Sequence, residues 1–541
     1  MLNGWLRTEA SGTSPQWNGV VSSDCGAVQF IETDHLWVDS QEEAAAAALN
    51  AGVDFDCSIS VGKAFATLLN ATERGLVNRS TIDQAVSRLL RLQLRLGFFD
   101  PPEMVTYRSV PMQVVNSPTH RALAVVAARE GIVLLRNHNE LLPLNPVKFS
   151  RSGSLLVTGP NALLVATGNY NTATDRNVTA WDGISSYVPF ATFEPGCLSV
   201  TSNDTSFFES ALAAARTAEV VVAVMGLDTS VEYEDSTRLS LDLPGVQEQL
   251  LQALISTQVP VVVVLMGGSA VALSELSQRA VAAIVWSGYG GEEAGTALAD
   301  VLFGAYNPGG RLPFTFYQSQ DDLPAYHNMS MSAEPFGRTY RYFSGPAPVF
   351  RFGEGRSYSK FATTNVSASI VSNSHHHRHA NVNVNVNARD QTHAYGRRRR
   401  RHTDGDGDMR SALKLLPCDA LNVTFSVTNA GPMDGEEVTQ VYVRLRGVPV
   451  LTPLLSLAGF TRTAVAVGDT VSLSFFLPPR VFAAVDPATH SWRVYAAEAD
   501  VFVGSTQPHS EMEWFGAQSL HFSIRTTSPV PLSLCSSTSI T

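Results

Sequence analysis

Charge is scarce in this 541-residue chain. Asp, Glu, Lys and Arg together make up 16% of it, against 44% apolar residues, and acids outnumber bases by 49 to 38. A net charge of −11 gives no reason to expect a nucleic-acid partner. The strongly basic run at 397–401 lies in a stretch of low complexity. Long apolar runs are missing too; none approaches the ~18–20 residues that span a bilayer, so no membrane partner is expected. The five cysteines, Cys25, Cys57, Cys197, Cys418 and Cys535, are too few and too scattered for a disulfide scaffold. No Cys-x-x-Cys pair occurs, so no metal site is expected. The opening MLNGWLRTEASG has no basic start, apolar core or small-residue cleavage site, and does not read as a signal peptide. Against that, seven Asn-x-Ser/Thr sequons (Asn70, Asn78, Asn177, Asn203, Asn328, Asn365 and Asn422) hint at secretion.

What remains is globular material for more than one domain. A strand is expected over 18–24, a helix over 41–50, a second strand over 51–57, and a helix from Ser80 or Thr81 to the stop at Asp100-Pro101-Pro102. Such alternation is the rhythm of βα units on a parallel sheet. After a Pro-containing connector comes an expected helix over 120–135. Near-continuous apolar strands follow at 154–159, 219–226, 260–268 and 282–290, with helical stretches between them. Valine runs without alternation suit strands covered on both faces. Residues 366–412 hold a histidine tract at 375–377 and 379, a VNVNVN repeat, the arginine run and DGDGD, and read as a solvated insert. Beyond Cys418 the period becomes two, as in a small β-sandwich, before a Ser/Thr-rich tail from about 507.

Two acidic sites stand out. In GVVSSDCGAV (19–28) a lone carboxylate, Asp24, closes an apolar run; a strand-capping turn residue is the plain reading, a ligand group the other. In MGLDTSVEYEDSTR (225–238) Glu232, Glu234, Asp235 and Arg238 crowd a loop after a valine-rich strand. A loop after a parallel strand is where an α/β fold presents ligand groups, although a solvated charged loop has the same composition. GYGGEEAG (288–295) has Glu293 where a dinucleotide fingerprint needs glycine, and reads as a tight turn into a helix.

In order, the phrases VVSSDCGAV, AALNAGVDFDC, AVSRLLRLQLRLGFFD, REGIVLLRNHNELLPL, the GPNA and GNYN pair, AIVWSGYGGEEAGTALADVLFGAYNPGGRLPFTFY, FGRTYRYF and FRFGEGRSYSKF, with the final sandwich, resemble glycoside hydrolase family 3. The resemblance spans roughly 17–505 apart from the low-complexity insert. It implies a multidomain α/β protein. Residues 1–100 would be the C-terminal fragment of a (β/α)8-type barrel, 101–121 a linker, 122–361 an α/β sandwich with a mainly parallel sheet, 362–417 the insert, 418–506 a fibronectin type III-like domain and 507–541 a tail.

It also implies a retaining, exo-acting β-glycosidase on an oligosaccharide or glycoside, needing no cofactor. Asp24 falls on the nucleophile position, and Glu232 takes the acid/base place counted from Gly226, with Glu234 as the alternative. Glu234 and Arg238 would contact substrate. Cys25 and Cys57, in SDC and VDFDC, resemble the β-xylosidase branch, with a disulfide or two free thiols as alternatives. A β-glucosidase and an inactive carbohydrate- or protein-binding homologue are the other readings. The family's remaining sugar ligands, an Asp, an Arg and a Lys-His pair, have no counterpart here. The expectation is a truncated or mis-started sequence of a secreted enzyme, with little turnover as it stands. A degenerate homologue and a barrel completed by another chain are the competing explanations. The oligomeric state stays open.

Overall fold

A computed structural model describes residues 6–7, 17–57, 64–164, 167–171, 176–234, 238–326, 328–372, 384–385, 413–508 and 518–535. The histidine tract and the arginine run lie outside the described residues. The chain divides into two compact units, Met1–Val115 and Asn116–Thr541.

Among its described residues the first unit has the α-helices α1 (Ala27–Thr33), α2 (Gln41–Ala51), α3 (Leu68–Glu73) and α4 (Arg79–Arg95). α2 starts where the Ser40 hydroxyl accepts from the Glu43 amide, and Glu42 and Glu43 place negative charge on its first turn. Its buried Ala45 and Ala48 pack with Val28 and Ala64, and its Ala46 with Ala71, Val77 and Ala85. The two expected strands shrink to one parallel bridge, Ser22↔Phe55, supported by Ser23 N to Phe55 O at 2.9 Å and Asp54 N to Val21 O at 2.8 Å. Buried Asp54 anchors the pair. Its carboxylate accepts from Arg7 Nη2 at 2.6 Å, Arg88 Nη1 at 2.8 Å and the Val21 amide at 2.9 Å. A carboxylate this buried is tolerable only with its charge matched and its lone pairs filled.

The second unit begins with α5 (Pro118–Gly131) and a six-stranded sheet. Its strands are β1 (Val133–Asn137), β2 (Leu155–Thr158), β3 (Thr192–Glu194), β4 (Val220–Gly226), β5 (Val261–Met266) and β6 (Ala283–Trp286), in the order β1-β6-β5-β4-β2-β3. All neighbours are parallel except β1, which runs antiparallel to β6. The helix expected over 120–135 therefore stops at Gly131, and 133–137 turn into an edge strand. The reason is burial: Val133, Leu134 and Leu135 have at most 1% exposure, a run closed in on both faces, which a surface helix cannot provide. Helices α6 (Ala180–Tyr187), α7 (Phe208–Ala215), α8 (Gln247–Ser256), α9 (Glu275–Ala280) and α10 (Ala294–Leu302) cover the sheet. Val222, Val224, Val262 and Val264 pack with α6 and α10 residues, while Val221, Ala223, Val261 and Val263 pack with those of α7 and α8. Strand alternation thus feeds two cores from one valine run.

A β-sandwich follows. One sheet is ordered β13-β10-β7-β8 and the other β12-β11-β16-β17-β9. The strands are β7 (Phe361–Val371), β8 (Val384–Asn385), β9 (Leu413–Leu415), β10 (Ala420–Asn429), β11 (Gly435–Arg446), β12 (Ser456–Val465), β13 (Thr470–Leu477), β16 (Ala497–Gly504) and β17 (Gln518–Ile524). A third small sheet joins β14 (Ala483–Asp486), β15 (Ser491–Val494) and β18 (Val530–Pro531). The sandwich therefore reaches outside the expected 418–506. β7 and β9 fall within the stretch read as an insert, and β17 and β18 within the stretch read as a tail. In β7 only Thr363, Val366 and Ala368 are buried, so its Ser/Thr/Asn-rich sequence hides the inward face. A disulfide, Cys418–Cys535, ties that supposed tail to the start of β10. The sandwich meets the α/β domain through Arg311, whose Nη2 donates to Glu437 Oε2 at 3.0 Å and whose Nε donates to Ser505 O at 3.0 Å.

Candidate active site

Asp24 stands where the 17–24 segment ends and α1 is about to begin. Two devices pin that point. Before it lies the Ser22↔Phe55 bridge; after it, Cys25 is bonded to Cys57 with Cα atoms 4.3 Å apart. Gly26, at φ +82, donates its amide to Cys57 O at 2.7 Å, and the Cys57 amide donates to Ser23 Oγ at 3.0 Å. The Asp24 carboxylate is exposed and accepts from the Cys25 amide at 2.8 Å. The backbone around it is fixed while the side chain stays available.

Glu232 belongs to the second unit. Strand order there reverses between β2 and β4, the kind of switch point at which open parallel sheets bind ligands beyond the carboxyl ends of their strands. β4 ends at Gly226, which has φ +135; a Cβ there would lie 1.9 Å from Met266 O, so only glycine fits. Gln247, fully buried, grips the same residue from α8, accepting from the Gly226 amide at 2.8 Å and donating to its carbonyl at 2.9 Å. The chain then folds back. Asp228 Oδ1 accepts from Ser230 N at 2.9 Å, and the Glu232 amide donates to Asp228 O at 3.0 Å. This turn lays Glu232 over the end of β5. There its Oε1 accepts from the Gly268 amide at 2.5 Å and its Oε2 from the Ser269 hydroxyl at 2.5 Å.

Tyr289, just past β6, adjoins the same carboxylate. Burial, reinforced by the negative charge of Glu232, raises its hydroxyl far above the usual tyrosine value, so it stays protonated. Arg238 also feels Glu232. Desolvation pulls its pKa down while the carboxylate opposes that shift, and its Nη2 donates to the Ala270 carbonyl. Glu234 is exposed, and Asp235 lies outside the described residues. Thr158 Oγ1, Asn161 Oδ1, Arg238 Nη1 and Trp286 Nε1 are buried without a partner among the described residues. They belong to the C-terminal ends of β2, β4 and β6 or the loops beyond them, and unpaired polar atoms concentrated at one end of a sheet suit a polar ligand. Among the described residues no cluster of His, Cys, Asp and Glu could hold a metal ion, and no helix is long and apolar enough to cross a membrane.

Gly268, Ser269 and Tyr289 were not picked out from sequence. The signal available was only that MGGS and SGYG both close apolar strands; adjacency to Glu232 depends on the sheet order.

Residues 132–358 match the glycosyl hydrolase family 3 C-terminal domain, and 437–507 the fibronectin type III-like domain. The chain belongs to glycoside hydrolase family 3. Among curated relatives of this family 3 chain, a probable β-D-xylosidase 6 of Arabidopsis thaliana is 34% identical over 86% of the chain and 58% of its own length. β-D-xylosidase 1 of the same plant is 38% identical over 64% of the chain and 45% of its own length. The chain thus spans about half the length of the curated relatives it matches. Solved structures share the fold, two of them as follows. A family 3 exo-β-xylosidase, XlnD, studied with a xylobiose aziridine activity-based probe, is 27% identical with a TM-score of 0.74, covering 95% of this chain and 62% of its own. The β-glucosidase EmGH1 from Erythrobacter marinus is 25% identical with a TM-score of 0.75, covering 97% and 65%.

Proposed function

We propose that this family 3 chain carries the catalytic pair of a retaining, exo-acting β-glycosidase, most like a β-D-xylosidase, acting outside the cell on terminal β-linked sugars of xylan- or hemicellulose-type glycosides. The observation that carries the reading is a single carboxylate, Glu232, held by two donors beyond the carboxyl end of β5 in the mainly parallel sheet of a family 3 domain. The curated relatives that carry xylosidase names support the choice of sugar.

The chemistry asks for two carboxyl groups in different roles. Asp24, which is exposed, attacks the anomeric carbon. The glycosidic C–O bond breaks, and the departing oxygen takes the proton of Glu232. Water then attacks the glycosyl ester, surrendering a proton to the Glu232 carboxylate as the bond to Asp24 breaks. Arg238 and Glu234 are assigned to substrate hydroxyls in the same reading. The similarity to EmGH1 favours a glucoside as the second sugar to assay.

Hydrolysis of aryl β-xyloside and aryl β-glucoside by wild type, Asp24→Ala and Glu232→Ala tests the assignment. Wild type is expected to turn over slowly and to prefer the xyloside, and Asp24→Ala to lose what turnover there is of both. Glu232→Ala is expected to regain rate with azide on a dinitrophenyl xyloside, whose leaving group needs no proton. An Asp24→Ala protein as fast as wild type removes Asp24 from the mechanism.

A further inference from the structure

The two oxygens of Glu232 do not have equivalent partners. Oε1 faces the Gly268 amide, a group that donates and never accepts. Whether the carboxyl is ionised or protonated, Oε1 must therefore stay an acceptor. Oε2 faces the Ser269 hydroxyl, which rotates freely between donating and accepting. Only Oε2 can carry hydrogen and keep its partner.

We infer that Ser269 is a positioning residue that fixes Oε2 as the proton-bearing oxygen of Glu232 in both halves of the glycosidase cycle. This rests on the reading of Glu232 as acid/base. With the carboxyl protonated, Oε2–H donates to Ser269 Oγ until the glycosidic oxygen takes the proton. Once that proton has left, the hydroxyl turns and donates to Oε2. Oε2 then receives the proton of the attacking water and Ser269 reverts to acceptor. The proton count closes over the cycle, and Ser269 itself is never ionised.

The surroundings are built for this exchange. Gly267 and Gly268 bring backbone close to the carboxylate; a Cβ on either would stand 3.4 or 3.5 Å from Oε1. Asp228 sets the turn that delivers Glu232, and Tyr289 and Arg238 supply the remaining polar neighbours. Ser269 lies 37 residues from Glu232 in sequence and reaches it only because β4 and β5 are neighbours in the sheet.

General-acid assistance matters in proportion to how poor the leaving group is, and that supplies the test. Kinetics on xylobiose and on dinitrophenyl β-xyloside are compared for wild type, Ser269→Ala, Ser269→Thr and Glu232→Ala. Ser269→Ala is expected to lower kcat on xylobiose about tenfold, the scale of one lost hydrogen bond to a charged group, and to leave formation of the glycosyl-enzyme from the dinitrophenyl substrate unchanged. Ser269→Thr, which keeps the hydroxyl, restores the xylobiose rate. An equal loss on both substrates marks a merely structural role and overturns the inference. So does wild-type behaviour of Ser269→Ala while Glu232→Ala shows the leaving-group split. Absence of that split in Glu232→Ala, or of any turnover by wild type, instead sinks the underlying acid/base reading.

Discussion

Replacing Arg311 by alanine tests how the sandwich is fastened to the α/β domain. The Arg311 and Glu437 side chains are 8% and 2% exposed, and their ion pair spans 3.0 Å. The guanidinium also donates to the carbonyls of Gly309, Gly310 and Ser505, each at 3.0 Å. Glu437 Oε1 has no partner among the described residues, so the carboxylate leans on Arg311 for its charge balance. Arg311→Ala leaves that charge buried and alone, a situation that costs about 3–5 kcal/mol. Swapping both residues for apolar ones of similar size, Arg311→Met with Glu437→Leu, removes the stranded charge, and much of the loss is expected to return. Equilibrium urea unfolding of the full chain, followed by circular dichroism and indole fluorescence, reads both variants. A single variant within about 1 kcal/mol of wild type would show that water reaches the pair and would refute the reasoning. A double variant as weak as the single one would move the cost from unpaired charge to lost carbonyl contacts.

Two further outcomes follow from particular groups. Tyr187 stacks on Phe303 at 4.9 Å and donates to Asp300 Oδ1 at 2.6 Å; burial first, then that hydrogen bond and the Asp300 charge, push its pKa up to about 12. Its contribution to stability is therefore complete below pH ~10, the value in the unfolded chain, and is lost as pH climbs through 12. Absorbance titration at tyrosinate wavelengths, with Tyr187→Phe as the control, should show one late-ionising phenol missing from the variant. Separately, Cys418→Ser with Cys535→Ser opens a loop of 117 residues and should lower unfolding stability by up to about 4 kcal/mol. Unchanged thermal unfolding of that variant in oxidising buffer would count against the bond's role.

Sequence was most informative where one physical signal dominated. The valine runs of β4 and β5 admit little but doubly covered strands, and their burial follows the expectation. It was least informative at 132–137, where Ile-Val-Leu-Leu serves a helix or a strand equally well and only the neighbouring β6 decides. β7 escaped notice for the opposite reason: Thr, Ser and Asn alternate with small apolar residues, so its inward face carries little hydrophobic contrast. For the candidate site, counting from Gly226 against the family pattern pointed to Glu232, with Glu234 as the alternative, and the structure shows which neighbours Glu232 has. Ser269 and Tyr289, 37 and 57 positions further on, become its neighbours only through the β4–β5–β6 order. No local pattern encodes that order. The Cys418–Cys535 bond was hidden likewise, since five scattered cysteines leave the pairing open.

β1 reverses direction at one margin of the α/β sheet, and its outer side is closed by Arg356, whose amide donates to Leu134 O at 2.7 Å. The opposite margin, β3, is three residues long. A neighbouring molecule seeking to extend this sheet would therefore find one side already occupied and the other offering too little ladder to template a new strand. For a domain whose two central strands, β4 and β5, are more than half valine, that asymmetry is a built-in guard against polymerisation.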